Sequence, residues 1–154
     1  MSDSIPVILL ADDNRDDCFL FKEALSEMKA NVHLITAEDG NALIELLKNS
    51  TLLPDFILLD INMPFKSGKE CVAEIRGDQT FMNVPVVIYS TSLSPRDIDE
   101  SYKAGANLYL QKPHSFSDLM SLISKLLELD WSKHKPHPDK GMFILSTDRT
   151  TFYN

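Results

Sequence analysis

Three aspartates, a serine and a lysine occupy comparable places along this chain, each at the end of a short apolar run. Asp12 and Asp13 follow Val7–Leu10, Asp60 follows Phe56–Leu59, Ser90 and Thr91 follow Val86–Tyr89, and Lys112 and Pro113 follow Leu108–Leu110. An aspartate is already ionised at neutral pH and can attack phosphorus without a general base. Carboxylates gathered into one place repel one another, and a divalent cation is the usual remedy. Mg²⁺ prefers an octahedron of oxygens and keeps several waters, so two carboxylates, a backbone carbonyl and water suffice. A lysine and a hydroxyl beside them suit phosphoryl transfer, where most of the work is neutralising charge on three equatorial oxygens. The metal would take one oxygen, the Lys112 ammonium a second, and the Ser90 hydroxyl with a neighbouring N–H the third. The product would be an aspartyl phosphate.

Such a set works only if the fold brings the ends of those runs together. Val7–Leu10, Phe56–Leu59 and Val86–Tyr89 are continuously apolar, as strands buried on both faces are, and Val32–Thr36 and Leu108–Leu110 complete five. Helical patterns separate them. Phe19, Leu20, Ala24, Leu25 and Met28 mark the apolar face of the first, Leu43, Ile44, Leu46 and Leu47 the second, and Val72 and Ile75 a shorter third. The fourth opens at Ser94-Pro95, with a capping serine and a proline at the first helical position, and Gly105 is placed to end it. The fifth opens at Ser115 and runs to about Leu129. Strand and helix alternating five times predict an α/β fold: a doubly wound, five-stranded parallel sheet with five helices, joined by right-handed crossovers. Sites in such sheets lie beyond the carboxyl ends of the strands, where all five chemical residues fall.

Asp12-Asp13, Asp60 through Pro64, Gly68, Ser90, Gly105-Ala106 and Tyr109 through Lys112-Pro113 together resemble the response-regulator receiver family, with its flavodoxin-like fold, over roughly Ile5 to Leu129. The resemblance implies that Asp60 is the phospho-acceptor. It implies that Asp13, Asp60 and the carbonyl of Asn62 bind Mg²⁺, with Asp12 positioning the metal. Lys112 matches the phosphate-binding lysine, and its bond to Pro113 is expected to be cis. Ser90 matches the switch hydroxyl and Tyr109 the switch aromatic, through which phosphorylation biases the surface of the fourth helix, fifth strand and fifth helix. The phosphodonor would be a histidine kinase or a histidine phosphotransfer protein. Asp12-Asp13-Asn14-Arg15-Asp16-Asp17 further resembles stand-alone receivers, including those paired with phytochrome-type or hybrid kinases, although Asp16 and Asp17 also suit the first turn of a helix.

Singly, each residue has an ordinary structural use: a helix cap for Asp12 and Asp13, a turn for Asp60–Pro64, a satisfied strand-end hydroxyl for Ser90, a surface position for Lys112. Unrelated turns would rarely supply three acids, a hydroxyl and a lysine to one cleft. A haloacid-dehalogenase-type phosphatase also forms aspartyl phosphate, but needs a second acid two residues past the nucleophile, where this chain has Asn62. An unphosphorylated receiver-like docking module would lack the acceptor or the lysine, and a flavin-binding relative would carry a phosphate loop where this chain carries acids.

The 154 residues fit one domain, expected over 5–130, with an extension over 131–154. A net charge of −8 argues against gripping nucleic acid. No apolar run reaches the length of a membrane span, and the N-terminus lacks the pattern of a secretory signal. Cys18 and Cys71 are isolated, which excludes a disulfide framework and points to a reducing, cytoplasmic setting. The extension is too short for a DNA-binding module or a catalytic output domain, so signalling is expected to leave through a downstream protein or a homodimer. Met142–Leu145 could form a strand or pack against the domain there, and Leu122, Leu129 and Trp131 exceed one buried helix stripe, making them expected partner contacts. His134 and His137 are expected to be solvated.

Overall fold

The computed structural model describes residues 5–51, 53–131, 143–145 and 152–153. Its elements run β1 (Val7–Ala11), α1 (Arg15–Glu27), β2 (His33–Ala37), α2 (Gly40–Asn49), β3 (Phe56–Leu59), α3 (Gly68–Gly77), β4 (Val86–Ser90), α4 (Pro95–Ala104), β5 (Leu108–Gln111), α5 (Phe116–Glu128), β6 (Ile144–Leu145) and β7 (Phe152–Tyr153). The sheet order is β2-β1-β3-β4-β5-β6-β7. The five expected strands are mutually parallel, with the order reversing at β1. Two short strands then extend the sheet past β5, β6 parallel to it and β7 antiparallel to β6.

Alternate strand residues feed two cores. Ile8, Leu10, Phe56, Leu58, Val87, Tyr89, Leu108 and Leu110 meet α1 and α5 on one face. Leu9, Ala11, Ile57, Leu59, Val86, Ile88 and Tyr109 meet α2, α3 and α4 on the other. Burial on both faces explains why the central strands are continuously apolar.

The helix ends follow the capping chemistry. Ser94 and Ser115 accept from the N–H groups of Asp97 and Asp118 at 3.1 and 3.0 Å. Gly105 ends α4 at φ 110°, a left-handed conformation that a Cβ would disfavour.

Several expectations need correction. The buried face of α1 is Phe21, Ala24 and Leu25, with Cys18 and Met28 partly covered, whereas Phe19 and Leu20 are 60% and 44% exposed. Phe21 lies three residues before Ala24 and four before Leu25, and Cys18 three before Phe21; Leu20, four before Ala24 alone, falls beside that stripe and Phe19 on the opposite face. Leu46 is likewise partly exposed. The Lys112–Pro113 bond is trans. Leu122 is fully buried, Leu129 packs on the same core, and Trp131 stacks on Phe56 at 4.7 Å, so the domain itself uses these side chains. Within Met142–Leu145, Phe143 is buried and Ile144–Leu145 form a strand, while Met142 lies outside the described residues, as do His134 and His137. Both cysteines are free, Cys71 fully buried and Cys18 partly.

Candidate functional site

Backbone hydrogen bonds tie the relevant strand ends into one rim. The N–H of Asp12 donates to Ala37 of β2 (3.1 Å), that of Asp60 to Ala11 of β1 (3.0 Å), and that of Lys112 to Ser90 of β4 (2.8 Å). The loop after β3 folds back so that the N–H of Gly68 donates to the carbonyl of Ile61 at 2.8 Å. A Cβ at Gly68 would strike the carbonyl oxygen of Asp60, so only glycine permits α3 to start this close to Asp60.

On that rim the predicted residues meet. Carboxylate oxygens of Asp12, Asp13 and Asp60 all lie within 4.8 Å of one another, Asp12 and Asp60 buried and Asp13 exposed. Lys112 reaches between them, its Nζ 2.7 Å from Asp12 Oδ2 and 3.1 Å from Asp60 Oδ2. The ammonium also stands 5.6 Å from the ring centroid of Tyr89. Asn62, two residues past Asp60, is exposed between the buried Ile61 and Met63, its N–H reaching Asp60 Oδ1 at 3.4 Å.

The electrostatics of this corner leave it short of positive charge. Burial pushes the Asp12 carboxyl up to about 6, against hydrogen bonds from Lys112 and the Asn14 N–H, and the Asp60 charge adds to the rise. Burial also works against the Lys112 ammonium, but its bonds to Asp12 and Asp17 and the charge of Asp60 outweigh this and hold it above the ordinary lysine range. Asp12 Oδ2 is met by the Lys112 ammonium at 2.7 Å and its Oδ1 by the Asn14 N–H at 2.9 Å. Three carboxylates within 4.8 Å of one another, facing one ammonium, leave a surplus of negative oxygen donors that a hard divalent cation fits, so the donor set suits Mg²⁺ or Mn²⁺.

Ser90 and Tyr109 stand together on the neighbouring flank. Ser90 is buried, and its Oγ accepts from the N–H of Ser92 at 3.2 Å. Tyr109 is fully buried, and its hydroxyl donates to the carbonyl of Ser92 at 2.7 Å. Ser92 in turn donates its hydroxyl to Asp97 Oδ2 at 2.6 Å, and Lys69 of α3 pairs with Asp97 and Glu100 of α4.

One participant escaped the sequence reading, and a second was read only as part of an apolar segment able to form a strand or pack on the domain. Asp17 Oδ2 lies 2.8 Å from Lys112 Nζ. Its place in the first turn of α1 suits an ordinary helix-end charge, so nothing local pointed to Lys112. Phe143 packs over Tyr109, ring centroids 6.2 Å apart, and edge-on against Tyr102 at 5.2 Å, while its carbonyl accepts from the Tyr109 N–H at 2.8 Å.

Residues 8–124 match the family model for the response regulator receiver domain. The response regulator Rcp1 of Synechocystis sp. is 34% identical over 122 residues, 76% of this chain and 83% of that protein. The crystal structure of the phosphorylated cyanobacterial phytochrome response regulator RcpA superposes with a TM-score of 0.76 at 33% identity, covering 88% of this chain and all of that one. The Mn²⁺-bound form of Rcp1 superposes with a TM-score of 0.71 at 32% identity, covering 83% of this chain and 96% of the other.

Proposed function

This chain belongs to the response regulator receiver family of two-component signalling, and from that premise we propose that it takes a phosphoryl group on Asp60 and signals through a phosphorylation-dependent protein surface. The observation that carries the reading is the Lys112 ammonium held 3.1 Å from the Asp60 carboxylate within a cluster of three acids. Asp13, Asp60 and the carbonyl of Asn62 would hold Mg²⁺ with Asp12 beside them, and the bound ion would supply charge neutralisation at the transferred group. A phosphohistidine on a histidine kinase or phosphotransfer protein is the donor. One oxygen of Asp60 bonds to phosphorus as the P–N bond breaks, the electron pair staying on the imidazole. Lys112 takes a phosphoryl oxygen, and Ser90 turns its hydroxyl toward another.

The Ser90 displacement is read out by Tyr109, since both are tied to Ser92. The surface of α4, β5 and α5, with the strand that follows, then meets a downstream protein or a second copy. Among the described residues no helix is long and apolar enough to cross a membrane, and the two free thiols suit a reducing compartment, so we assign the protein to the cytoplasm. The similarity to RcpA makes a phytochrome-type histidine kinase the first donor to try.

Intact-protein mass spectrometry after incubation with acetyl phosphate and Mg²⁺ tests the central claim. The wild type should gain one phosphoryl mass, labile to hydroxylamine, and Asp60→Asn should gain none. Equal labelling of the variant would move the acceptor elsewhere, and no labelling by either acetyl phosphate or a cognate kinase would remove the reading.

A further inference from the structure

We propose that Asp17 is a positioning residue for Lys112, holding the ammonium at a point from which it can exchange the acceptor carboxylate for the incoming phosphoryl group. The inference rests on the role given to Lys112 above. An ammonium has three protons to donate, and here three carboxylates stand around it: Asp12 at 2.7 Å, Asp17 at 2.8 Å and Asp60 at 3.1 Å. Asp12 comes from the end of β1 and Asp60 from the end of β3, while Asp17 comes from α1.

The backbone of Asp17 is fixed independently of the pair. Asn14 caps α1, accepting from the Asp17 N–H at 3.1 Å, which places Asp17 third in the helix. The acid at the same place in α3, Glu70, reaches back to the N–H of its cap residue Ser67 and completes a capping box. Asp17 instead reaches outward, across 95 residues of sequence, to Lys112. Its carboxylate is 29% exposed and Lys112 only 9%, so the pair sits at the edge of the rim with the charge partly shielded from water.

That geometry has a consequence for the transfer step. When an oxygen of Asp60 bonds to phosphorus and the donor's bond breaks, Lys112 must loosen its hold on Asp60 and take a phosphoryl oxygen. Asp17 draws it away from the nucleophile beforehand. Without Asp17 the ammonium is shared by Asp12 and Asp60 alone, and its tighter hold on Asp60 slows the attack.

The test is the rate of phosphorylation by acetyl phosphate with saturating Mg²⁺, measured across donor concentrations for wild type, Asp17→Asn, Asp17→Glu and Asp16→Asn. Asp16 lies in the same turn, exposed, and makes a charge-matched control. Positioning predicts a maximal rate about tenfold lower in Asp17→Asn, a half-saturating concentration within about twofold, partial recovery in Asp17→Glu and wild-type behaviour in Asp16→Asn. Loss of a negative charge alone would aid an anionic donor, so a lower half-saturation with an undiminished rate in both Asn variants overturns the proposal. So does a lower thermal midpoint with wild-type kinetics, which would make Asp17 merely structural. If wild type itself takes no phosphoryl group, the reading of Lys112 fails and this inference with it; a labelled wild type beside an unaltered Asp17→Asn sinks the inference alone.

Discussion

At the ends of β1, β3 and β5 a single ammonium serves three carboxylates, whereas around Ser90 and Tyr109 the polar groups bond to backbone and the rings pack on apolar neighbours. The first corner is dominated by unbalanced charge. Adding a cation or a phosphoryl group there changes every pairwise interaction at once, because the partners are buried and weakly screened. The second corner is close-packed and nearly neutral, so it responds by moving as a body rather than by redistributing charge. Chemistry suits the one and its readout the other, and Ser90, bonded through Lys112 N–H on one side and Ser92 N–H on the other, joins them.

The largest expected effect separates the two corners outright. Lys112→Ala should slow labelling by acetyl phosphate by about a hundredfold to a thousandfold, the usual loss when a group that stabilises transition-state charge is removed. Stability without Mg²⁺ should also fall, since Asp12 and Asp60 lose their only close cation among the described residues. A labelling rate within twofold of wild type would detach Lys112 from the chemistry.

Phe143→Ala addresses the other corner. Phe143 is buried against Tyr109 and Tyr102, and removing a buried phenylalanine costs about 3 kcal/mol where the site cannot collapse. Urea unfolding should register that loss while the labelling rate of the folded protein stays near wild type. An unchanged urea midpoint would mean that the Phe143 packing contributes nothing; a labelling rate that falls with it would mean that the two corners are more tightly joined than their bonding suggests.

How far these corners could be read beforehand follows the same division. Asp12, Asp13, Asp60, Ser90 and Lys112 were legible because each adjoins a strand whose apolar run betrays it, and the parallel topology dictates that those ends converge. The helix caps at Ser94 and Ser115 and the end at Gly105 were legible because their chemistry is local. The apolar face of α1 was missed at Phe19 and Leu20 because a run of three apolar residues fits more than one helical phase, and the spacing to both Ala24 and Leu25, which favours Phe21, was not weighed. Asp17 and Phe143 owe their roles to partners 95 and 34 residues away, pairings that no local pattern encodes. The Lys112–Pro113 bond was expected cis on resemblance alone, and the trans form carries the same lysine to the same acids.

A smaller effect should come from the metal. Mg²⁺ at a hundred times its dissociation constant should stabilise the fold by about 2.7 kcal/mol if it binds the native state alone. The thermal midpoint of the wild type should rise accordingly, and that of Asp13→Asn should rise much less. Phe143→Ala should keep the full response, since its change lies in the neutral corner. A flat midpoint in the wild type would count against a cation at the three carboxylates.

The smallest effect tests whether the neutral corner is as neutral as it looks. Asp97 is a charged fastening of it, and the Ser92 hydroxyl, then Lys69, hold its carboxyl below the ordinary aspartate range. A carboxyl depressed in the folded state contributes stability above its unfolded value, near 4, and loses it as pH falls through the lower folded value. The side chain is about a quarter exposed, so screening keeps the contribution below about 1 kcal/mol. Asp97→Asn should therefore unfold slightly earlier than wild type at pH 7, and the two curves should converge toward pH 3. A gap that persists undiminished at low pH would show that the link between Ser92 and α4 is held by shape and hydrogen bonding rather than charge, which would sharpen the contrast with the ionic corner instead of blurring it.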